Sequence, residues 1–237
     1  MSDRLKQKAA EMALDTVQPG MKLGLGTGST AAFFVRALGE RVKQGLKVRC
    51  VATSEATERL ARSCGIEIED LNDLLTLDLT VDGTDEIDPS FRLIKGGGGA
   101  LLREKIVASA SRRMLVIADQ SKKVETLGAF ALPIEIVSFA FRSTLERLRG
   151  TLEQAGYDAP LTMRTTPDGQ IMRTDNANVI ADAALGHIGD PEALEMALNA
   201  VPGIVDCGLF LGLATDALIA SGDGVEEMTN HAAFHRR

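Results

Sequence analysis

Residues 21–30, MKLGLGTGST, run from an apolar segment through closely spaced glycines into a stretch with helical periodicity near Ala31 to Leu38. This pattern predicts a β-strand, a tight turn and a helix. An amphipathic helix starting near Asp3 and a QPG turn come before it. The chain therefore opens as helix, strand, helix, with a glycine-rich loop between the first strand and the second helix.

Short apolar segments and helical segments continue to alternate after this loop. The predicted strands are KVRCVAT (47–53), IEIED (66–70), LDLTVDG (77–83) and MLVIAD (114–119). Helices are predicted for EATERLARSCG (55–65) and for about Leu101 to Arg113. Such alternation predicts parallel strands joined by right-handed crossovers, with helices on both faces of the sheet. The predicted class is α/β, with an open and mostly parallel sheet.

A second, smaller domain is predicted from residue 132 onward, where the order of elements becomes βαββαβ. The elements are strand 132–137, helix 141–155, strand 161–165, a hairpin at PDGQ, strand 171–181, helix 191–200 and strand 204–208. This is the split βαβ, or ferredoxin-like, α+β pattern. The stretch from Leu209 to Met228 is apolar again, so we expect it to return to the first domain. The predicted limits are 1–131 with 207–237, and 132–206.

Composition and charge exclude several classes of partner. The 26 basic and 33 acidic side chains give a net charge of −7, which creates no general attraction for nucleic acid or an anionic membrane. With no apolar run of about 18 residues and no signal-peptide core, we expect a cytoplasmic protein.

No disulfide framework or zinc site is expected from the cysteines, Cys50, Cys64 and Cys207. No role is assigned to the histidines, His187, His231 and His235.

The loop GLGTGST (24–30) joins a strand to a helix, which is where amide N–H groups and the helix dipole hold phosphate. A dinucleotide site is poorly supported, because Ser29 stands at the third glycine position and no acidic residue ends the next strand. A Walker loop fails for want of a glycine-lysine pair. Small hydroxyls remain beside bare amides, and a tight turn without a ligand stays open as the alternative.

Three further motifs follow predicted strands or precede a helix. VDGTDEID (81–88) places acidic residues at the carboxyl end of a strand, where α/β sheets bind ligands, although a solvated acidic loop is the alternative. IKGGGG (94–99) sets Lys95 before four glycines, and Glu104 lies early in the next helix, where an exposed glutamate is the common alternative. A flexible linker is not expected inside one compact sheet. In ADQSKK (118–123), Lys122 is either a phosphate anchor or a surface lysine.

In this order, GLGTGSTAAFFV, VDGTDEID, IKGGGGALLREKIVA and IADQSKKV, followed by TDNANVIAD and NAVPGIVDCGLF, resemble the type A ribose-5-phosphate isomerases over nearly the whole chain. The resemblance implies a Rossmann-like main domain with a small α+β lid domain. It also implies a cytosolic homodimer or homotetramer that uses no metal or cofactor and acts in the non-oxidative pentose phosphate pathway. The chain departs from the family pattern at Thr84, where alanine is common, and after Met228.

The resemblance also implies the roles of individual residues. Glu104 would be the base, with Asp82, Asp85 and Lys95 around the reacting carbons; Asp82 would serve ring opening and Asp85 would orient hydroxyls. Moving a proton between C2 and C1 through an enediolate requires such a carboxylate and a cation or N–H donors. The phosphate would be held by Thr27, Gly28, Ser29, Thr30, Lys122 and Lys6. The remaining substrate contacts would come from Gly83, Thr84, Gly96, Gly97, Gly98 and Asp119.

Two other functions share this broad architecture and stay open on the fold alone. A coenzyme A transferase would form a thioester on its glutamate. A sugar-phosphate sensor of the repressor type would normally carry a DNA-binding helix-turn-helix upstream. The chain begins only about twenty residues before the first predicted strand, so we do not expect such an element here.

Overall fold

The computed structural model describes residues 2–230. The helices are α1 (Ser2–Ala13), α2 (Ser29–Lys43), α3 (Glu55–Ser63), α4 (Leu71–Leu74), α5 (Leu101–Ser109), α6 (Phe141–Gln154) and α7 (Pro191–Asn199). The strands are β1 (Lys22–Leu25), β2 (Arg49–Ala52), β3 (Leu79–Asp82), β4 (Glu86–Ile87), β5 (Leu93–Ile94), β6 (Met114–Asp119), β7 (Leu132–Ile136), β8 (Leu161–Met163), β9 (Val179–Ala183), β10 (Ile204–Cys207), β11 (Leu209–Phe210), β12 (Asp216–Ser221) and β13 (Gly224–Thr229). Within residues 2–230 no helix has both the length and the apolar character needed to cross a membrane. His231 and His235 lie outside the described residues.

The described chain divides into two compact units. Residues 2–84, 103–123 and 212–230 form the first unit, and residues 85–102 and 124–211 form the second. The second unit therefore takes in residues 85–102, 124–131 and 207–211, which the sequence assigned to the first domain. The limits 1–131 with 207–237, and 132–206, stay a prediction from the order of elements.

The first unit contains a six-stranded sheet in the order β13-β12-β6-β3-β1-β2. All neighbours are parallel except the edge strand β13, which pairs antiparallel with β12. Every residue of β3 and β6 is buried, as expected for central strands of a sheet that is covered on both faces. Leu23, Leu25, Phe34 and Leu38 are among the residues of its core. The predicted open, mostly parallel α/β sheet is confirmed.

One predicted strand of this unit is wrong. Residues 66–70 make only a single parallel bridge, between Ile68 and Cys50. The segment cannot extend further as a strand because the Asp70 side chain accepts a hydrogen bond from the Asn72 N–H and begins α4.

The second unit contains an antiparallel sheet in the order β10-β7-β9-β8, which confirms the predicted βαββαβ arrangement. The third strand of the pattern, however, is confined to Val179–Ala183 instead of running from 171 to 181. Residues 174–178 form a turn, in which the Thr174 hydroxyl accepts hydrogen bonds from the N–H groups of Asn176 and Asn178. A separate three-stranded sheet, β11-β5-β4, lies in the same unit.

Candidate active site

In the first unit, three loops leave the same edge of the sheet. Strands β6, β3 and β1 are adjacent and parallel, so the residues after Leu25, Asp82 and Asp119 all lie at their carboxyl ends. This is the edge at which open α/β sheets bind ligands. The glycine-rich loop, the first part of the acidic motif and the ADQSKK turn therefore lie at the same edge of the sheet.

Asp82 is fully buried at the end of β3, and its carboxylate organises the glycine-rich loop. Its Oδ1 accepts hydrogen bonds from the N–H groups of Thr27, at 3.1 Å, and Gly83, at 2.7 Å. A Cβ at Gly26 would lie 2.1 Å from that oxygen, so only glycine fits there. Gly28 is required for another reason, since its φ of +108° is a conformation that side chains disfavour.

The Thr27 side chain points into a cluster of hydroxyl groups. Its Oγ1 lies 2.7 Å from Thr53 Oγ1, 2.8 Å from Ser54 Oγ and 3.1 Å from Thr57 Oγ1. Thr57 Oγ1 also donates to the Gly26 carbonyl, at 2.9 Å. A hydroxyl has one proton and two lone pairs, so these contacts use the hydrogen-bonding capacity of Thr27. Thr27 thus braces the loop, and the three partner residues are a support that no motif revealed.

The N-terminus of α2 carries positive electrostatic potential. Gly28 is its N-cap residue and supplies no side-chain cap, so the first-turn N–H groups depend on other partners. Lys6, on α1, donates from Nζ to Ser29 Oγ at 3.0 Å. Thr30 lies in the same first turn. Three predicted phosphate residues therefore meet at one helix terminus. Ser29 and Thr30 lie in its first turn, and Lys6 brings its ammonium group there.

Asp119, the last residue of β6, is the N-cap of a short 3₁₀ turn, Gln120–Lys122, which carries Lys122. The Asp119 carboxylate accepts hydrogen bonds from the N–H and hydroxyl of Ser121. Burial alone would raise the pKa of Asp119, but these hydrogen bonds and the charges of Lys122 and Lys6 outweigh it and lower the pKa. Asp119 is therefore ionised near neutral pH and fixes the turn that carries Lys122, within electrostatic reach of Lys6.

Glu104 lies on α5 with 3 % of its surface exposed. The alternative of an exposed helical glutamate is therefore wrong. Burying a carboxylate costs free energy unless neighbouring groups compensate, so glutamate is almost never buried without a structural or chemical reason. A position on a solvated helix face would leave the Glu104 side chain exposed, so it does not explain this burial.

In the second unit, Lys95 directly follows β5 and is also buried, at 2 % exposure. Its Nζ lies 5.5 Å from the centroid of the Phe210 ring, within cation–π distance. Its N–H donates to the Gly208 carbonyl at 2.8 Å, which ties it to the residue just before β11. A lysine so enclosed holds its ammonium group in a defined place rather than in bulk water.

The four glycines after Lys95 form a turn, which we call the glycine loop (Gly96–Gly99). Gly96 and Gly99 have φ angles of +100° and +80°, and the Gly99 N–H donates to the Gly96 carbonyl at 2.9 Å. The Gly97 N–H donates to Asp85 Oδ2 at 2.8 Å, and a Cβ on Gly97 would lie 2.7 Å from Asp85 Oδ1. The glycines are thus required by conformation and by close approach to a carboxylate, and Gly97 and Gly98 are exposed.

The acidic motif divides its residues between two tasks. Glu86 accepts hydrogen bonds from the N–H groups of Gly128 and Phe130, and Asp88 pairs with Arg92 at 2.6 Å. These two carboxylates hold loops of the second unit. Asp82 and Asp85 also accept hydrogen bonds from loop N–H groups, and their part in the chemistry stays a prediction.

The predicted site residues are distributed over both units. The first unit holds Lys6, Thr27, Gly28, Ser29, Thr30, Asp82, Gly83, Thr84, Glu104, Asp119 and Lys122, and the second holds Asp85, Lys95, Gly96, Gly97 and Gly98. The division falls inside two motifs, between Thr84 and Asp85 and between Leu102 and Arg103. Among the described residues, the one group of three side chains placed to hold a metal ion is Glu195, Asp206 and Cys207, none of which is a predicted site residue.

Comparison with known proteins gives consistent matches. The family model of ribose 5-phosphate isomerase A (phosphoriboisomerase A) matches residues 49–224. Ribose-5-phosphate isomerase A of Agrobacterium fabrum is 55% identical over 225 residues, which cover 95% of this chain and 97% of that protein. The protein of the same name from Bradyrhizobium diazoefficiens is 52% identical over 227 residues, 94% of each chain.

Solved structures agree over almost the full length. Ribose 5-phosphate isomerase from Plasmodium falciparum superposes with a TM-score of 0.92 at 39% identity, covering 97% of this chain and 99% of that one. A D-ribose-5-phosphate isomerase in complex with phospho-erythronic acid gives a TM-score of 0.90 at 34% identity, with the same coverage.

Proposed function

Because the chain belongs to the ribose 5-phosphate isomerase A family and interconverts D-ribose 5-phosphate and D-ribulose 5-phosphate, we propose that Glu104 is the base of this reaction. The observation that carries the proposal is its burial on α5, against the exposure expected of a helical glutamate. The Glu104 carboxylate takes the proton from C2 of the open-chain aldose, which leaves an enediolate. The same carboxyl group returns the proton to C1, while the O2 proton is lost and O1 is protonated.

Lys95 and the glycine loop stabilise the negative charge of the enediolate. An ammonium group and amide N–H groups held in place before the reaction lower the barrier, because they need no reorganisation as charge develops. The burial of Lys95 and the hydrogen-bonded turn at Gly96–Gly99 support this role, since both fix donors in space.

Asp82 and Asp85 move protons on the substrate oxygens. The substrate is mostly a closed furanose, so ring opening requires proton transfer at the ring and carbonyl oxygens before Glu104 can act. We assign ring opening and oxygen proton transfer to Asp82, which is buried at the carboxyl end of β3. Asp85 orients hydroxyl groups, in addition to holding the Gly97 N–H.

The phosphate group binds at the N-terminus of α2. Gly28, Ser29 and Thr30 offer N–H groups and hydroxyls there, and Lys6 and Lys122 supply opposite charge. Two predicted residues support the phosphate site without binding phosphate through their side chains. Thr27 braces the loop through its hydroxyl cluster, and Asp119 holds the turn of Lys122. We assign Gly83, Thr84 and Gly98 to backbone contacts with the sugar.

The test of the base is Glu104→Gln, which keeps shape and hydrogen bonding but cannot accept a proton. We expect kcat to fall by roughly 10² to 10⁴, the usual contribution of a positioned acid–base group, with KM nearly unchanged. The measurement is steady-state kinetics together with deuterium exchange at C2 of unreacted substrate. The control is Glu40→Gln on α2, where the side chain is 66% exposed and kcat should stay within about twofold. Undiminished exchange in Glu104→Gln would remove this residue from the mechanism.

We further propose that the enzyme works in the cytoplasm as a homodimer or homotetramer. The three cysteines, all among the described residues, form no disulfide, which suits a reducing compartment. Phe139 is 87% exposed beside the partly exposed Val137, and exposed apolar side chains of this kind favour contact with another chain. Light scattering after size-exclusion chromatography measures the mass directly, and a single species of about 25 kDa would contradict the oligomer.

A further inference from the structure

We propose that Arg164, held by Asp182, is a positioning residue that fixes the orientation of the glycine loop for the isomerase reaction. Arg164 lies in none of the sequence motifs, Asp182 is the last residue of TDNANVIAD (174–182), and neither residue belongs to the predicted site. The proposal rests on the proposed function of the loop as a source of N–H donors for the enediolate.

Arg164 contacts two successive carbonyl groups of the glycine loop. Its Nη1 donates to the Gly96 carbonyl at 2.6 Å and to the Gly97 carbonyl at 3.2 Å. Arg164 follows β8 and lies 68 residues from Gly96 in the chain. Hydrogen bonds to a charged donor are stronger than neutral ones, so a guanidinium group is a firm anchor for two flexible peptides.

The contacts decide which way the loop turns its N–H groups. In a planar trans peptide the C=O and the following N–H point in opposite directions. The Gly96 carbonyl faces Arg164, and on the other side of that peptide the Gly97 N–H faces Asp85. By the same geometry, the Gly97 carbonyl at Arg164 turns the Gly98 N–H away from the guanidinium group. Glycine peptides flip easily, so without Arg164 the loop has other orientations, in which carbonyl oxygens repel an anion.

Asp182 fixes the guanidinium group itself. The carboxylate accepts hydrogen bonds from both Nε, at 2.9 Å, and Nη2, which is a bidentate pairing. The Arg164 and Asp182 side chains are only 14% and 22% exposed, so bulk water screens the pair little. Asp182 occupies one edge of the guanidinium plane and leaves Nη1 for the loop. Lysine cannot reproduce this fork, because it offers a point charge rather than a planar set of donors.

The experiment compares Arg164→Ala, Arg164→Lys and Asp182→Asn with the wild-type enzyme on ribose 5-phosphate. We expect Arg164→Ala to lower kcat at least tenfold with KM within about threefold, because the phosphate site lies in the other unit. Arg164→Lys should recover part of kcat, and millimolar guanidinium ion should raise the kcat of Arg164→Ala. Amide hydrogen exchange over residues 94–101 should speed up in Arg164→Ala. The matched control is Arg149→Ala, which removes an arginine from the exposed pair with Glu146 in the same unit and should change neither quantity.

A kcat of Arg164→Ala within twofold of the wild type, or a loss confined to KM, would overturn the proposal. If Arg164→Ala fails to fold, Arg164→Lys and Asp182→Asn decide by the same criterion, measured below their unfolding temperatures. Failure of the proposed base is distinguishable, because it appears as normal turnover in Glu104→Gln whatever the Arg164 variants show.

Discussion

At the scale of single residues, the buried charged side chains fall into two groups: those that hold neighbouring segments and those to which we assign a part in the reaction. Glu86, Asp88 and Glu135 are buried with carboxylate oxygens that accept hydrogen bonds from loops or strands beside them, and they fix those segments. Glu104 and Lys95 are just as buried, and in the sequence they lie on either side of the glycine loop, which offers backbone amides. Burial alone is therefore a weak marker of chemistry, and the neighbouring residues decide its meaning.

Gly26 gives the sharpest steric prediction. In Gly26→Ala the new Cβ would lie 2.1 Å from Asp82 Oδ1, so this carboxylate, to which we assign ring opening, has to move. We expect kcat to fall at least tenfold, since small displacements of catalytic groups cost large factors in rate. The matched control is Gly150→Ala on α6, where no heavy atom lies within 4 Å of the added Cβ and stability should rise by up to about 1 kcal/mol. Kinetics and urea unfolding of both variants measure this, and a fully active Gly26→Ala would show that Asp82 needs no fixed position.

Ala177 gives a prediction on stability. Its φ of +62° is left-handed, a conformation that costs an alanine roughly 1 to 2 kcal/mol but glycine almost nothing. Glycine also loses more entropy on folding, by about 0.5 to 1 kcal/mol, so we expect Ala177→Gly to stabilise the protein by roughly 1 kcal/mol or less. Ala197→Gly, within α7, should instead destabilise it by about 1 kcal/mol. Urea denaturation compares the two, and destabilisation in both would contradict the strain at residue 177.

At the scale of elements, the sequence predicts those parts whose signals are local. The apolar run of β6 before Asp119 and the Asp190-Pro191 start of α7 can be read directly from the sequence, because burial on both faces and helix capping leave a mark within a few residues. The shortened β9 could not be predicted, since its start is set by Thr174, which links Glu135 to the turn at residues 174–178. That link joins residues 39 positions apart.

The 3₁₀ turn after β6 carries the prediction for phosphate binding. We expect Lys122→Ala to raise KM roughly 10- to 100-fold, because a charge-assisted hydrogen bond to phosphate contributes about 1.5 to 3 kcal/mol, and to change kcat little. The adjacent Lys123 is the control: it pairs with Glu226 at 2.9 Å on the surface, so Lys123→Ala should leave KM within about twofold. Steady-state kinetics with ribose 5-phosphate and a binding assay with free ribose measure both. Equal affinity for ribose and its phosphate would show that the turn and the α2 terminus do not bind phosphate.

At the scale of the whole molecule, the candidate site can be predicted only as far as its motifs are contiguous. The acidic motif and the glycine loop are visible because each packs several special residues into one short stretch. Two contacts are not visible in the sequence. Arg164 lies 68 residues from Gly96 and Lys6 lies 23 residues from Ser29, and both side chains are of types that are usually on the surface. Family resemblance supplied Lys6, and the folded chain was needed for Arg164.

The charge of the whole chain bears on the last prediction, which concerns metal ions. The net charge is −7, so a phosphorylated substrate and an enediolate must be stabilised by local groups. The proposed mechanism assigns this to Lys6 and Lys122 at the phosphate and to Lys95 with the glycine loop at the reacting carbons. Since these cations and amides meet the need for positive charge, we expect full activity in both directions after dialysis against EDTA. Mg²⁺ or Mn²⁺ added back in excess should change kcat less than twofold, with inductively coupled plasma mass spectrometry confirming removal of metal. Loss of activity on chelation that a divalent ion restores would mean that a metal, rather than Lys95, carries the charge of the enediolate.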